Sequence, residues 1–181
     1  FAPALRLAGY DGLVITGRAD KPSVICIDKE KIRIEDAASL WGRGIGESTD
    51  ALHESYGKKS TSLVIGPAGE NLVPFACVLN EAHHALGRCG MGAIMGSKNL
   101  KAIVVKETKA ELSLADPERV KALVRELTPR IREHLISQVL HDFGTAGNLE
   151  GHMYSGDVPV KNWTSNFDEE MGEALTGSTL S

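Results

Sequence analysis

Residues able to meet an anion are concentrated in Gly87-Arg88-Cys89-Gly90-Met91-Gly92, which runs on into Gly96-Ser97-Lys98-Asn99. Glycines at 87, 90, 92 and 96 let backbone N–H groups approach a ligand closely, and Arg88 adds a planar cationic fork suited to phosphate. A helix expected over Ala93 to Ser97, beginning near Gly92, would turn its N-terminus towards the same anion. These residues read as a site for a phosphate-bearing ligand, or as glycines that only permit tight turns and close packing; composition alone leaves both open. Two nucleotide motifs fail here. The dinucleotide fingerprint requires G-x-G-x-x-G after a strand, whereas the order is G-x-x-G-x-G after an expected helix. Walker A requires four residues between its glycines and then Gly-Lys; Gly92 and Gly96 enclose three, and Ser97 precedes Lys98.

Other polar residues carry less. Cys77, His83, His84 and Cys89 suggest zinc, but five residues separate Cys77 from His83 and four separate His84 from Cys89, unlike the short pairs of zinc sites. A cubane iron–sulfur cluster needs four cysteines, and the chain has three. Glu70 and Asn71 sit in a glycine turn and read as stabilising it. Asp11 reads as a turn cap, and His134 and His141 as solvated helix residues. No nucleophile–base pair can be assigned.

The elements that must position these residues form two textures. From the start to about residue 108, short apolar runs alternate with glycine turns: Gly12–Thr16, Val24–Ile27, Ile32–Ile34, Leu63–Ile65, Leu72–Leu79 and Leu100–Val105. The second and third flank the turn Asp28-Lys29-Glu30-Lys31 as a β-hairpin, and Ile32 and Ile34 alternate with charges as in a half-exposed strand. Helices are expected at Ser48–Tyr56, ended by Gly57, and at Asn80–Leu86, with a helical turn at Asp36–Trp41. From about residue 109 the pattern is helical. Asp116-Pro117-Glu118 supplies an N-cap, a proline in the first turn and an early acid. Val120, Leu123, Val124, Leu127, Ile131, Leu135, Val139 and Leu140 follow at helical spacing. Pro129 is expected to kink or divide this element, and Gly144 to end it. The fold class expected is α+β, with domains at 1–108 and 109–181.

Composition bounds the function. The 181 residues are 42% hydrophobic and 24% charged, with a net charge of −4, so nothing supports a nucleic-acid binder. No apolar run approaches the ~18 residues of a membrane span. Three widely spaced cysteines do not make a disulfide framework and fit a reducing, cytoplasmic setting. Phe1 in place of Met, and a polar stretch at Ser181, read as the ends of a piece cut from a longer protein.

Four blocks, in order, carry a family resemblance. GRCGMGAIMGSKNLKAIVV (Gly87–Val105) resembles the loop and strand of the aldehyde:ferredoxin oxidoreductases. Gly66–Asn71 is similar to their GPAGEN turn, with Phe75-Ala76 similar to the segment after it. Leu7–Asp11 is similar to their AGYD segment, and Leu40-Trp41-Gly42 to an L-W-G. The likeness fades after Thr108, although Gly144-Thr145 and Val158–Asn162 still look related.

The resemblance implies a β-rich domain, lacking its N-terminal part, that binds a tungstopterin (a bis-pterin carrying tungsten or molybdenum), followed by the start of an all-helical domain. It implies Mg2+ between the pterin phosphates, held by the backbone carbonyl of Ala85. Gly87, Arg88 and Gly90 would meet pterin phosphate or ring, with His84 beside them. It implies oxidation of an aldehyde to a carboxylic acid, electrons passing through a [4Fe-4S] cluster to ferredoxin. The cluster ligands would lie beyond Ser181, so these residues alone are expected to be inactive. Related members would act on an aromatic thioester or a phosphorylated aldehyde, and a non-catalytic packing module is the reading from another class. Homo-oligomerisation is left open; no nucleic-acid or membrane partner is expected. Two positions depart from the family pattern: His84 replaces an arginine, exchanging a permanent charge for a titratable one, and Cys89 replaces a glycine. The alternative readings of these two are a helix-surface histidine and a buried inert thiol.

Overall fold

The structure, a computed structural model, describes residues 1–29, 31–110 and 112–180. They form two compact units, Phe1–Ser113 and Leu114–Ser181. Glu30, the third residue of the expected hairpin turn, lies outside the described residues.

The first unit is built on a mixed sheet of strands β1 (Ser23–Asp28), β2 (Lys31–Asp36), β3 (Thr61–Val64), β4 (Val78–Asn80), β5 (His84–Leu86) and β6 (Leu100–Val105). Their order is β2-β1-β6-β3-β4-β5. Strands β1 and β2 form the expected antiparallel hairpin, in register from Ser23↔Asp36 to Asp28↔Lys31. β6 then enters between β1, which it meets parallel, and β3, which it meets antiparallel. Both faces of the sheet are covered, which is why β6 is buried throughout and reads as an unbroken apolar run apart from Lys101.

On one face, Leu5 and Ala8, at the end of α1 (Ala2–Leu7), pack with Ile27, Ile103, Val105 and Met95 of α4 (Met91–Ser97). On the other, Leu52 of α2 (Ile45–Tyr56) joins Ala37 and Leu40 over Val24, Val64, Ala102 and Val104. Full burial of each such Val, Ile or Leu is worth roughly 1.5–3 kcal/mol.

Three expected elements of this unit are different in the structure. Gly12–Thr16 is not a strand: Leu13 and Ile15 pack on the sheet face while Val14 is exposed, so the apolar residues serve as cover. The run Leu72–Leu79 is strand only from Val78, because Leu72 has φ +60°, Pro74 lacks the N–H a ladder needs, and Phe75 is exposed. Asn80–Leu86 is a hairpin rather than a helix, with Asn80↔His84, Leu79↔Ala85 and Val78↔Leu86 paired.

The second unit is helical, with one isolated bridge between Val160 and Ser165. Its elements are α5 (Pro117–Glu133), α6 (Leu135–Phe143), α7 (Leu149–Ser155), α8 (Glu169–Ala174) and α9 (Gly177–Leu180). Asp116 caps α5 as expected, its carboxylate accepting from the Arg119 N–H at 2.9 Å. Pro129 does not divide the helix. α5 continues to Glu133, and the break comes at His134, whose backbone is extended and whose ring accepts from the Ile136 N–H. The α+β architecture is thus the one expected, a β-rich unit followed by a helical one.

Candidate functional site

The expected site residues lie on the outermost strand and the loop that follows it. The turn from β4 to β5 closes with the His83 N–H donating to the Asn80 carbonyl at 3.2 Å. Its two central residues are left-handed, Glu81 at φ +53° and Ala82 at +59°, the conformation of a type I′ turn. Glycine or asparagine usually occupies such positions. β5 follows, pairing with β4 alone, so its other edge carries backbone groups that no strand of the described residues takes up. His84, Ala85, Gly87, Arg88 and Cys89 are all exposed. Alternation puts His84 and Leu86 on one face and Ala85 on the other. Leu86 lines an apolar groove of about 370 Å³ with Leu63, Val78, Met91 and Ile94.

The glycines divide into two groups. A Cβ on Gly90 (φ +62°) would stand 2.2 Å from the Pro74 carbonyl oxygen, and one on Gly92 2.5 Å from that of Cys77. One on Gly96 would stand 1.9 Å from the Gly69 oxygen, where α4 lies against α3 (Pro67–Glu70). Packing therefore requires these three. The Gly92 N–H is also taken, donating to the Ala76 carbonyl at 2.9 Å, so that one group is not offered to an anion. Gly87 differs. Its φ is not in the left-handed region, and an added Cβ would meet nothing within 4 Å. Of the expected glycines, Gly87 is the one left open for a ligand. Beside it, Arg88 makes no ion pair or side-chain hydrogen bond among the described residues.

The alternatives for His84 and Cys89 are corrected: His84 stands on a strand, and the Cys89 thiol is exposed. Cys26 is the buried thiol, its pKa pushed up chiefly by burial and next by Glu35. Among the described residues no group of three or more His, Cys, Asp or Glu is placed to hold a metal ion.

What supports the loop was not expected. Strand β6 carries a bulge: Ser23 pairs with Leu100 and Val24 with Ala102, leaving Lys101 as the extra residue. Its side chain is fully buried. The ammonium donates to Glu70 Oε1 at 2.5 Å and to the Arg43 carbonyl at 2.9 Å, while Glu70 Oε2 accepts from the Gly42 N–H at 2.7 Å. Glu70 thereby ties α3 to the sheet, and α3 seats α4 through the contact of Gly69 with Gly92 and Gly96. A charged residue inside the otherwise apolar Leu100–Val105 is the sequence signal for a buried partner, and Glu70 is that partner.

The chain matches the family described as aldehyde ferredoxin oxidoreductase, N-terminal domain, over residues 1–107. It is 39% identical to the tungsten-containing aldehyde ferredoxin oxidoreductase of Pyrococcus furiosus and 38% identical to that of Thermococcus kodakarensis, each over 99% of this chain. The chain spans 31% of the length of these two relatives. It is 34% identical to the WOR-like subunit of an aliphatic sulfonate oxidoreductase of P. furiosus, over 91% of this chain and 28% of that subunit. Among solved structures it superposes on the active-site complex BamBC of benzoyl coenzyme A reductase. The TM-score is 0.75 at 27% identity, covering 96% of this chain and 28% of the other. Residues 1–107 are more than half of the chain, and the chain belongs to the aldehyde ferredoxin oxidoreductase N-terminal domain family.

Proposed function

We propose that this chain is the pterin-anchoring part of a tungsten- or molybdenum-dependent aldehyde oxidoreductase. The observation that carries the reading is the exposed edge of β5 with its loop, where Gly87 is open and Arg88 is unengaged, in a member of this family. The residues fit a phosphate-bearing pterin. Gly87 lets an anion approach the backbone, and the Arg88 guanidinium offers two parallel N–H donors to a phosphate. The Ala85 backbone carbonyl is a hard oxygen of the kind Mg2+ takes. His84 would add a positive charge when protonated, and Gly90 would hold the loop's left-handed return into α4.

The chemistry such a centre supplies when bound is oxidation of an aldehyde and water to a carboxylic acid, two protons and two electrons, the electrons leaving through a [4Fe-4S] cluster to ferredoxin. In that arrangement these residues bind and orient the cofactor and make no contact with the aldehyde. The test is metal and pterin analysis of the full-length protein purified without oxygen after growth with tungstate. Tungsten or molybdenum together with iron and pterin is expected, and Arg88→Ala should lower pterin content about tenfold. Absence of both metals and of pterin overturns the reading in favour of a module that keeps the fold without the cofactor. The likeness to BamBC favours a second reading, in which the substrate is an aromatic thioester; turnover of benzoyl-CoA rather than of any aldehyde would select it.

A further inference from the structure

We propose that Glu81 is a positioning residue for the cofactor-binding edge: its carboxylate clamps the left-handed turn between β4 and β5 and so sets where Ala85, Gly87 and Arg88 present their backbone groups. The inference rests on the pterin reading above.

Glu81 is the first residue after the last pair of β4, and its position is held three ways. Its N–H donates to the Ser62 carbonyl at 3.3 Å. Its Oε1 accepts from the Ser62 N–H and, at 3.2 Å, from the Ser62 hydroxyl. Its Oε2 faces His53 Nε2 of α2 at 3.0 Å. Ser62 is fully buried, so the carboxylate also takes up an N–H that would otherwise lie orphaned at the end of the ladder. The clamp thus ties the turn to β3 and to α2 together.

The turn needs such a clamp. Glu81 and Ala82 are consecutive non-glycine residues in the left-handed region, each costing of the order of 1 kcal/mol relative to glycine, and side chains that over-determine the backbone are what hold such conformations. Two residues after Ala82 the chain enters His84-Ala85, and the three-residue strand β5 pairs with β4 alone, so little else fixes its height and tilt. Any relaxation of the turn is passed directly to Ala85 and Gly87. None of Glu81, Ser62 or His53 belongs to the glycine loop itself; they act on it through the hairpin.

The experiment compares Glu81→Gly and Glu81→Gln in the full-length protein. Glycine suits the left-handed φ at position 81 but removes the clamp, whereas glutamine keeps an oxygen for Ser62 and a polar atom for His53. Pterin bound per folded chain is expected to fall about tenfold in Glu81→Gly and less than twofold in Glu81→Gln. In apo-protein, amide exchange over residues 82–88 should quicken about tenfold in Glu81→Gly, with the β1–β2 hairpin unchanged. Wild-type pterin content in Glu81→Gly overturns the positioning role while leaving the pterin reading intact. Absence of pterin from the wild type overturns both. Should Glu81→Gly fail to fold, His53→Phe removes one arm of the clamp: reduced pterin at an unchanged Tm supports the role, and full pterin content refutes it.

Discussion

Replacing Lys101 by methionine strands a carboxylate in the interior. The Lys101 side chain is 0% exposed and that of Glu70 4%, with 2.5 Å between the charged atoms, so water cannot take over when the ammonium is removed. Glu70 would keep its bond from the Gly42 N–H, and the Arg43 carbonyl would lose its donor. Breaking one side of a buried pair costs about 3–5 kcal/mol, most of it the uncompensated charge. In a unit of this size that is a drop of roughly 10–20 °C in Tm. Glu70→Gln should cost about as much, because it leaves the ammonium buried against a neutral amide. The double variant buries no charge, and its glutamine oxygen can still accept from Gly42, so it should cost less than either single change.

The assay is urea unfolding followed by Trp41 fluorescence in a Trp163→Phe background, since Trp41 adjoins Gly42 and Trp163 lies in the other unit. A loss below about 1 kcal/mol for Lys101→Met would refute the reasoning. So would a double variant whose cost equals the sum of the singles within about 0.5 kcal/mol.

Three further outcomes follow from the geometry. Gly96→Ala places a methyl group against the Gly69 carbonyl and should cost about 3 kcal/mol, whereas Gly87→Ala meets open space and should change stability by less than about 0.5 kcal/mol; urea unfolding of both separates packing glycine from ligand glycine. Timed alkylation with mass spectrometry should modify exposed Cys89 first and Cys26 last, since Cys26 is buried and its thiol pKa is raised; early loss of Cys26 would contradict the burial. The Glu35 carboxyl is held below its ordinary value of 4.5, first by the hydrogen bond from Arg33 and next by that from the Tyr56 hydroxyl. A folded pKa below the unfolded one contributes stability that is fully present above pH 4.5 and lost as pH falls through the lower value, so Glu35→Gln should flatten the acid side of a stability–pH profile measured by urea unfolding.

Particular residues explain what the sequence could and could not disclose. The β1–β2 hairpin is legible because Ile32 and Ile34 alternate with charges across a polar turn, and β6 because a strand covered on both faces keeps its apolar residues together. The hairpin that carries the candidate site is not legible. Glu81, Ala82, His83 and Leu86 suit a helix, and the two left-handed residues lack the glycine that would announce a turn; the signal is instead the long-range bonding of Glu81 to Ser62 and His53. Lys101 is marked only by standing as a charge in an apolar run, and the bulge that makes it the extra residue of β6 has no signature of its own in the sequence. Of the glycine loop, the packing reading holds at 90, 92 and 96, and 87 stands free of packing contacts.

The position of β6 has a consequence for the order in which the chain assembles. β1 and β3 join one sheet only through β6, which lies between them, and β6 ends about 70 residues after β2 does. At about 5–20 residues per second, a ribosome leaves the β1–β2 hairpin without its central neighbour for roughly 4–14 s. During that interval the inner edge of β1 carries free backbone groups beside Val24, Cys26 and Ile27, a template for pairing with another nascent chain. Closure of the sheet is therefore a late event of high contact order, and the yield of soluble protein should depend more on how quickly Leu100–Val105 arrives than on how stable the finished sheet is.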